Sequence, residues 1–169
     1  EVMLHIPMEP KDRISHNPGK GAIYVTMEEN QIAEIIQNHL HNFRYIKGVN
    51  NHMGSRATEN EATMRAVFKA LKPSGLYFID SRTSSNSQAY NLAKAMKIPA
   101  GKNFIFIDNE PEVNYSKNSI TKGIQLAKKN GEAIIIGHSR ETTLKALKEI
   151  IPELKEQGVS LVFASALVR

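Results

Sequence analysis

The residues of this chain that could do chemistry fall in a few short polar strings. They are His5 and Glu9; Asn50-Asn51-His52-Met53-Gly54-Ser55-Arg56; Asp80-Ser81-Arg82-Thr83; Asp108-Asn109; Gly137-His138-Ser139-Arg140; and Ala164-Ser165. Histidine and carboxylate without a single cysteine suit zinc or another borderline divalent cation. Three protein ligands and one open position would bring the pKa of a bound water to ~7 and make a nucleophile at neutral pH. His5, Glu9 and His52 are the candidate ligands. The small residues Gly54 and Ser55 after His52 let the backbone come close to an ion and a substrate. Asp80 is the candidate base, and His138 is the candidate acid toward a leaving group. Backbone N–H groups around Gly54 and Ser55 are candidate donors to an oxyanion, with Asn51 and Arg82 as companion substrate-binding groups. Such a set would hydrolyse an amide or an ester. Serine, threonine and aspartate also cap helices and make turns, so Thr58, Ser81, Ser139 and Asp108-Asn109 admit that plainer role. Histidine is not a capping type, and His5, His52 and His138 all map to strand ends, which favours a site. His16 in a long loop, and His39 and His41 on a polar helix face, read as solvated.

The elements that must position these groups alternate along the chain. Short β-branched or aromatic runs are followed by helical periods. Strands are expected at Val2–Ile6, Tyr45–Val49, Leu76–Ile79, Phe104–Ile107, Ala133–Ile136 and Val159–Phe163. A polar loop covers 10–25. A first helix starts at Thr26, with Glu29 completing a capping box, and buries Ile32, Ile35, Ile36, Leu40 and Phe43. A second box, Thr58 with Glu61, opens a helix that buries Met64, Val67, Phe68 and Leu71, and Pro73-Ser74-Gly75 stops it. Further helices are expected at about 86–96, 116–129 (ended by Asn130-Gly131) and 141–156. Helices between successive strands imply parallel neighbours. The fold class is therefore α/β, with a mostly parallel sheet in a distorted or incomplete β/α barrel, and a single domain over 1–169. In such a sheet the C-terminal strand ends share one face, so the polar strings would converge there.

Composition narrows the class. The chain has 169 residues, 41% hydrophobic and 23% charged, which is enough for a packed core and argues against a disordered or fibrous protein. The lack of cysteine excludes a disulfide framework and a thiol nucleophile. A net charge of +5 permits a polyanion partner, but the lysines are spread along helices without aromatic interleaving, so no nucleic-acid partner is expected. No run approaches the ~18 apolar residues of a membrane span. The opening Glu1-Val2-Met3-Leu4-His5 reads as the inside of a strand, and the expectation is a chain whose first elements are absent.

The same strand-end strings resemble the divergent polysaccharide deacetylases. The matching segments are EVMLHIPMEP at 1–10, GVNNHMGSR at 48–56, FIDSRT at 78–83, FIDN at 106–109 and IGHSRETTLKAL at 136–147. That family is similar to carbohydrate esterase family 4, a distorted β/α barrel with a divalent metal. The resemblance implies removal of N- or O-acetyl groups from a carbohydrate substrate, in a periplasmic or extracellular setting. It matches His5 to the first metal-binding histidine of the parent fold and places Glu9 where a second would stand. It puts His52 in the motif beside the metal and His138 at the late histidine that acts as acid. It also implies an aspartate ligand from a preceding strand, which is not in 1–169. A barrel short of that strand would expose edges, so limited stability is expected.

Two other functions compete with a metal-dependent deacetylase. One is a non-catalytic carbohydrate-binding or cell-envelope scaffold protein that kept the fold, favoured by the replaced second histidine. The other is an open-sheet hydrolase using Ser139, disfavoured because no glycine completes a nucleophile elbow after it.

Overall fold

The computed structural model describes residues 1–43 and 45–169. Its strands are β1 (Val2–Met8), β2 (Ile46–Met53), β3 (Tyr77–Asp80), β4 (Ala100–Phe106) and β5 (Ile134–Ile136). The helices between and after them are α1 (Glu29–Asn42), α2 (Glu61–Leu71), α3 (Ala89–Ala95), α4 (Val113–Asn130) and α5 (Glu141–Ile150). All pairings are parallel and the strand order is sequential, β1-β2-β3-β4-β5. This is the α/β order of an open, incomplete β/α barrel. The chain forms two compact units, 1–102 with 168–169, and 103–167.

In the first unit, alternation along β1 buries Leu4, Ile6 and Met8 and leaves His5 on the other face. Val49 of β2 and Phe78 of β3 join the same core. Phe68 of α2 meets Phe78 edge-on, with ring centroids 4.9 Å apart. Gly48 has a steric reason: a Cβ there would lie 2.2 Å from the Tyr77 ring across the β2–β3 register. In the second unit, Ile107, Ile120, Ile124, Ala146, Ile150 and Leu154 pack between α4 and α5.

Several element ends differ from the sequence expectation. The first helix begins not at Thr26 but after Glu28, whose N–H donates to Gln31 Oε1 at 2.9 Å. The second helix is capped by Asn60, which accepts from Thr63 N at 2.9 Å. Thr58 instead donates its hydroxyl to Gly54 O at 2.8 Å. β2 runs on through Asn50, Asn51 and His52 to Met53, because the β1 register from Val2 to Met8 supplies partners that far. The largest correction is the sixth strand. Residues 159–163 form no strand, and Leu161, Val162 and Phe163 are exposed. β-propensity needs a partner edge to act on, and β5 is only three residues long.

Candidate functional site

The register of β1 on β2 sets His5 opposite Asn50 and Pro7 opposite His52. Alternation along β2 buries Val49 and Asn51, while Asn50 and His52 stay partly exposed on the other face. His5 therefore meets both. Its Nδ1 lies 3.0 Å from Asn50 Oδ1. Its Nε2 lies 3.1 Å from His52 Nδ1, with the rings edge-on at 4.9 Å between centroids. Asn50 Nδ2 donates to Ser81 Oγ at 3.1 Å, and Ser81 Oγ donates to Asn51 O at 2.8 Å.

Asn51, read from sequence as a substrate-binding group, is instead buried. Its amide accepts from Ser81 N at 2.9 Å and donates to Met53 O at 2.7 Å. Thr83 Oγ1 also donates to Met53 O, at 2.8 Å. Two donors on one carbonyl hold Met53 in the left-handed region, φ 53°. Gly54 follows at φ 86°, where a Cβ would approach Met8 Cβ to 2.9 Å. Ser55 Oγ accepts from Lys11 N at 2.9 Å.

Glu9 organises this turn. Its carbonyl accepts from Arg56 N and Ala57 N, both at 3.1 Å. Its fully buried carboxylate accepts from Val25 N at 2.7 Å and pairs with Arg56 at 3.2 Å and Arg13 at 3.4 Å. Both oxygens are engaged, Oε2 by Val25 N and Oε1 by the two guanidinium groups. Among the described residues no group of three or more His, Asp or Glu is placed to share a metal, so the set of His5, Glu9 and His52 does not assemble. What assembles is the imidazole pair. Two nitrogens 3.1 Å apart are close to the ~3.3 Å edge set by nitrogen ligands ~2.0–2.1 Å from tetrahedral zinc. On that test His5 and His52 fit as two ligands and Glu9 does not.

Asp80 is likewise buried and bonded within its own loop. Oδ1 accepts from Arg82 N at 2.8 Å, and Oδ2 accepts from Ser87 Oγ at 2.7 Å and Tyr90 N at 3.2 Å. It orders the β3–α3 connection, which is a structural task rather than the presentation of a base. Arg82 sits at φ 53° and donates to Ser85 O at 3.2 Å. His39, expected to be solvated, is half-buried against Gly21 O at 3.0 Å.

The second unit holds its own ionisable group. Asp108, at the end of β4, is fully buried. It accepts from His138 Nδ1 at 2.9 Å, His138 N at 2.5 Å and Thr143 Oγ1 at 2.9 Å. Burial alone would raise its carboxyl. The His138 ring, the His138 backbone N–H and the Thr143 hydroxyl outweigh that and hold it below the ordinary value of 3.8. Arg140 donates to Asp108 O at 2.6 Å. An ionised carboxylate only accepts, so His138 Nδ1 carries the proton and Nε2 is the working nitrogen. The ring is about half exposed, 55%. Sequence reading placed Asp108 among the strand-end polar residues, with a turn as the plainer alternative, and assigned it no specific catalytic role. The available signal was an acid at the end of one strand and a histidine at the end of the next. Ser139 is exposed in the loop before α5.

The sequential parallel α/β sheet, not closed, is compatible with the class of distorted β/α barrels. The chain belongs to the divergent polysaccharide deacetylase family, whose profile matches residues 1–168. It is 34% identical to the uncharacterized protein YibQ of Escherichia coli K12 over 99% of this chain and 52% of that protein. It is 31% identical to an uncharacterized protein of Haemophilus influenzae over 92% of this chain and 55% of that one. The chain thus spans about half the length of the curated relatives it matches. In fold it is similar to the crystal structure of an uncharacterized protein from Agrobacterium tumefaciens C58, with a TM-score of 0.95 at 24% identity, over 99% of this chain and 68% of that one. No described helix is long and apolar enough to cross a membrane.

Proposed function

We propose that this chain serves a metal-dependent hydrolase that removes acetyl groups from a polysaccharide or a related amide or ester, in the periplasm or outside the cell. The observation that carries the reading is the His5–His52 nitrogen pair at 3.1 Å, in a chain whose family is that of the divergent polysaccharide deacetylases. His5 and His52 would hold a divalent cation, zinc by the nitrogen donors. When bound, such an ion polarises a carbonyl and acidifies water. In the second unit, His138, held by Asp108 through Nδ1, is arranged as a group that can carry a proton and give it up from Nε2, the role of a general acid. The Asp108 charge stabilises the imidazolium while it exists, in the way a triad aspartate does. Gly54 and Ser55 form the turn proposed to hold the oxyanion, and Arg82 is proposed to contact the substrate.

A second reading, a carbohydrate-binding protein without turnover, is favoured by Glu9 and Asp80. Both carboxylates are buried and hydrogen-bonded, which leaves neither as a base. Metal analysis of the purified protein, with acetate release from acetylated glycans before and after chelation, separates the two. Stoichiometric zinc and chelator-sensitive release support the hydrolase. Glycan binding with neither metal nor release establishes the alternative.

A further inference from the structure

We propose that Asn50 and Ser81 form a positioning relay that fixes the neutral tautomer of His5, with the proton on Nδ1 and the lone pair on Nε2. The relay prepares the His5–His52 pair to receive a divalent cation. In that second respect it rests on the metal-holding reading above.

The Asn51 carbonyl can only accept, so Ser81 Oγ, 2.8 Å away, gives it its hydrogen. Ser81 is then an acceptor toward Asn50, and the contact at 3.1 Å must come from the Asn50 NH₂ group. That choice turns the Asn50 oxygen toward His5 Nδ1 at 3.0 Å. An amide oxygen cannot donate, so Nδ1 carries the hydrogen. The neutral ring keeps its lone pair on Nε2, which accepts from His52 Nδ1 at 3.1 Å.

The opposite amide orientation fails at its Ser81 end. It would set the Asn50 oxygen against a Ser81 oxygen whose hydrogen is already given to Asn51. It would also set an NH₂ group against Nδ1, move the ring proton to Nε2 and reverse the hydrogen bond to His52, so the Ser81 contact is what selects the tautomer. Ser81 cannot readily move to relieve this. It is 2% exposed, and its N–H is held by Asn51 Oδ1 at 2.9 Å. Metal-binding histidines commonly give their other N–H to such a partner, which sets ring orientation and tautomer. The partner here is a neutral amide, itself oriented from the next strand.

Long-range ¹H–¹⁵N NMR on the metal-free wild-type protein at about pH 8, above the ordinary histidine range, reads the tautomer directly. His5 is expected to show Nδ1–H and an unprotonated Nε2; an Nε2–H ring overturns the relay. Asn50→Ala should release the tautomer and weaken binding of Zn²⁺ alone by ~10–100-fold in calorimetric titration. Asn50→Asp keeps an oxygen acceptor toward Nδ1, and its charge draws the Ser81 hydroxyl hydrogen from the Asn51 carbonyl, so it should restore both. Equal losses in the two folded variants would overturn the positioning role. The two readings separate cleanly. Wild-type protein that binds no Zn²⁺ but keeps His5 as Nδ1–H supports the relay and sinks the metal reading. Stoichiometric Zn²⁺ with a metal-free Nε2–H ring does the reverse.

Discussion

The two histidine centres differ in what holds the ring. In the first unit His5 gives its Nδ1 proton to a neutral amide, and its other nitrogen faces a second imidazole. In the second unit His138 gives its Nδ1 proton to a buried carboxylate. A neutral acceptor fixes the tautomer without adding charge, which suits a ring that must offer a lone pair. A carboxylate steadies a positive ring, which suits a proton carrier. Residue type alone does not separate these roles; the partner does.

The largest expected effect tests that contrast directly. His52→Ala should abolish metal binding. His138→Ala should leave metal content unchanged and lower turnover by ~10²–10⁴-fold, the usual contribution of a positioned acid. Metal analysis and acetate release on both variants check this. A His52 variant that retains stoichiometric metal, or a His138 variant that loses it, reverses the assignment.

Asp108→Asn sharpens it. The variant keeps the shape of the contact and removes its charge. Turnover should fall about 10²-fold, at the low end of acid catalysis, with metal content unchanged. The same carboxylate gives a pH signature. Its folded pKa lies below the ordinary 3.8, so its stabilisation is present above that value and is lost as the pH falls through the depressed one. Acid denaturation of wild type should therefore show a stability loss below about pH 4 that Asp108→Asn lacks. Identical acid profiles would show that the charge contributes nothing to the second unit.

The sequence made the strand–helix order legible, and with it the placement of His5, His52 and His138 at strand ends, because hydrophobic period and strand-end polarity are local signals. The roles of the carboxylates were not legible. Whether Glu9 meets a metal or Arg13 and Arg56 depends on how loop 10–25 folds back: Val25 N reaches Glu9 Oε2 from sixteen residues away. Sequence reading singled out Asn51, and only the end of β2 shows that Asn50 is the asparagine facing His5. Moving that end from Val49 to Met53 extends the alternation and gives the two asparagines opposite faces. Glu9→Ala tests the revised role. It should leave metal stoichiometry intact and cost about 1.5–3 kcal/mol of stability in chemical denaturation, the range for hydrogen bonds to a charged group. Arg13 and Arg56 are each about half exposed and can return to water, 54% and 50%, which keeps the cost below that of an orphaned buried charge. Loss of metal in a folded Glu9→Ala variant would return Glu9 to the ligand set.

The smallest expected effect concerns two apolar runs that read alike in sequence. Val2–Ile6 and Val159–Phe163 are both β-branched and apolar, yet only the first is paired. Ile6 is fully buried, with 0% exposed, and Leu161 is 68% exposed. Ile6→Ala removes packed methylenes from the core and should cost about 2–5 kcal/mol. Leu161→Ala removes surface already in contact with water and should change stability by no more than about 0.5 kcal/mol. The difference arises from pairing. β1 has a partner along its whole length, Val2 through Met8, so its alternation is converted into burial. Residues 159–163 gain no ladder from a β5 of three residues, so Val159 packs against the second core while Leu161, Val162 and Phe163 stay in water. Denaturant midpoints for the two variants decide the matter. A cost near 2 kcal/mol for Leu161→Ala would mean that the run is buried as a strand in solution, restoring the sixth strand that its sequence alone suggests.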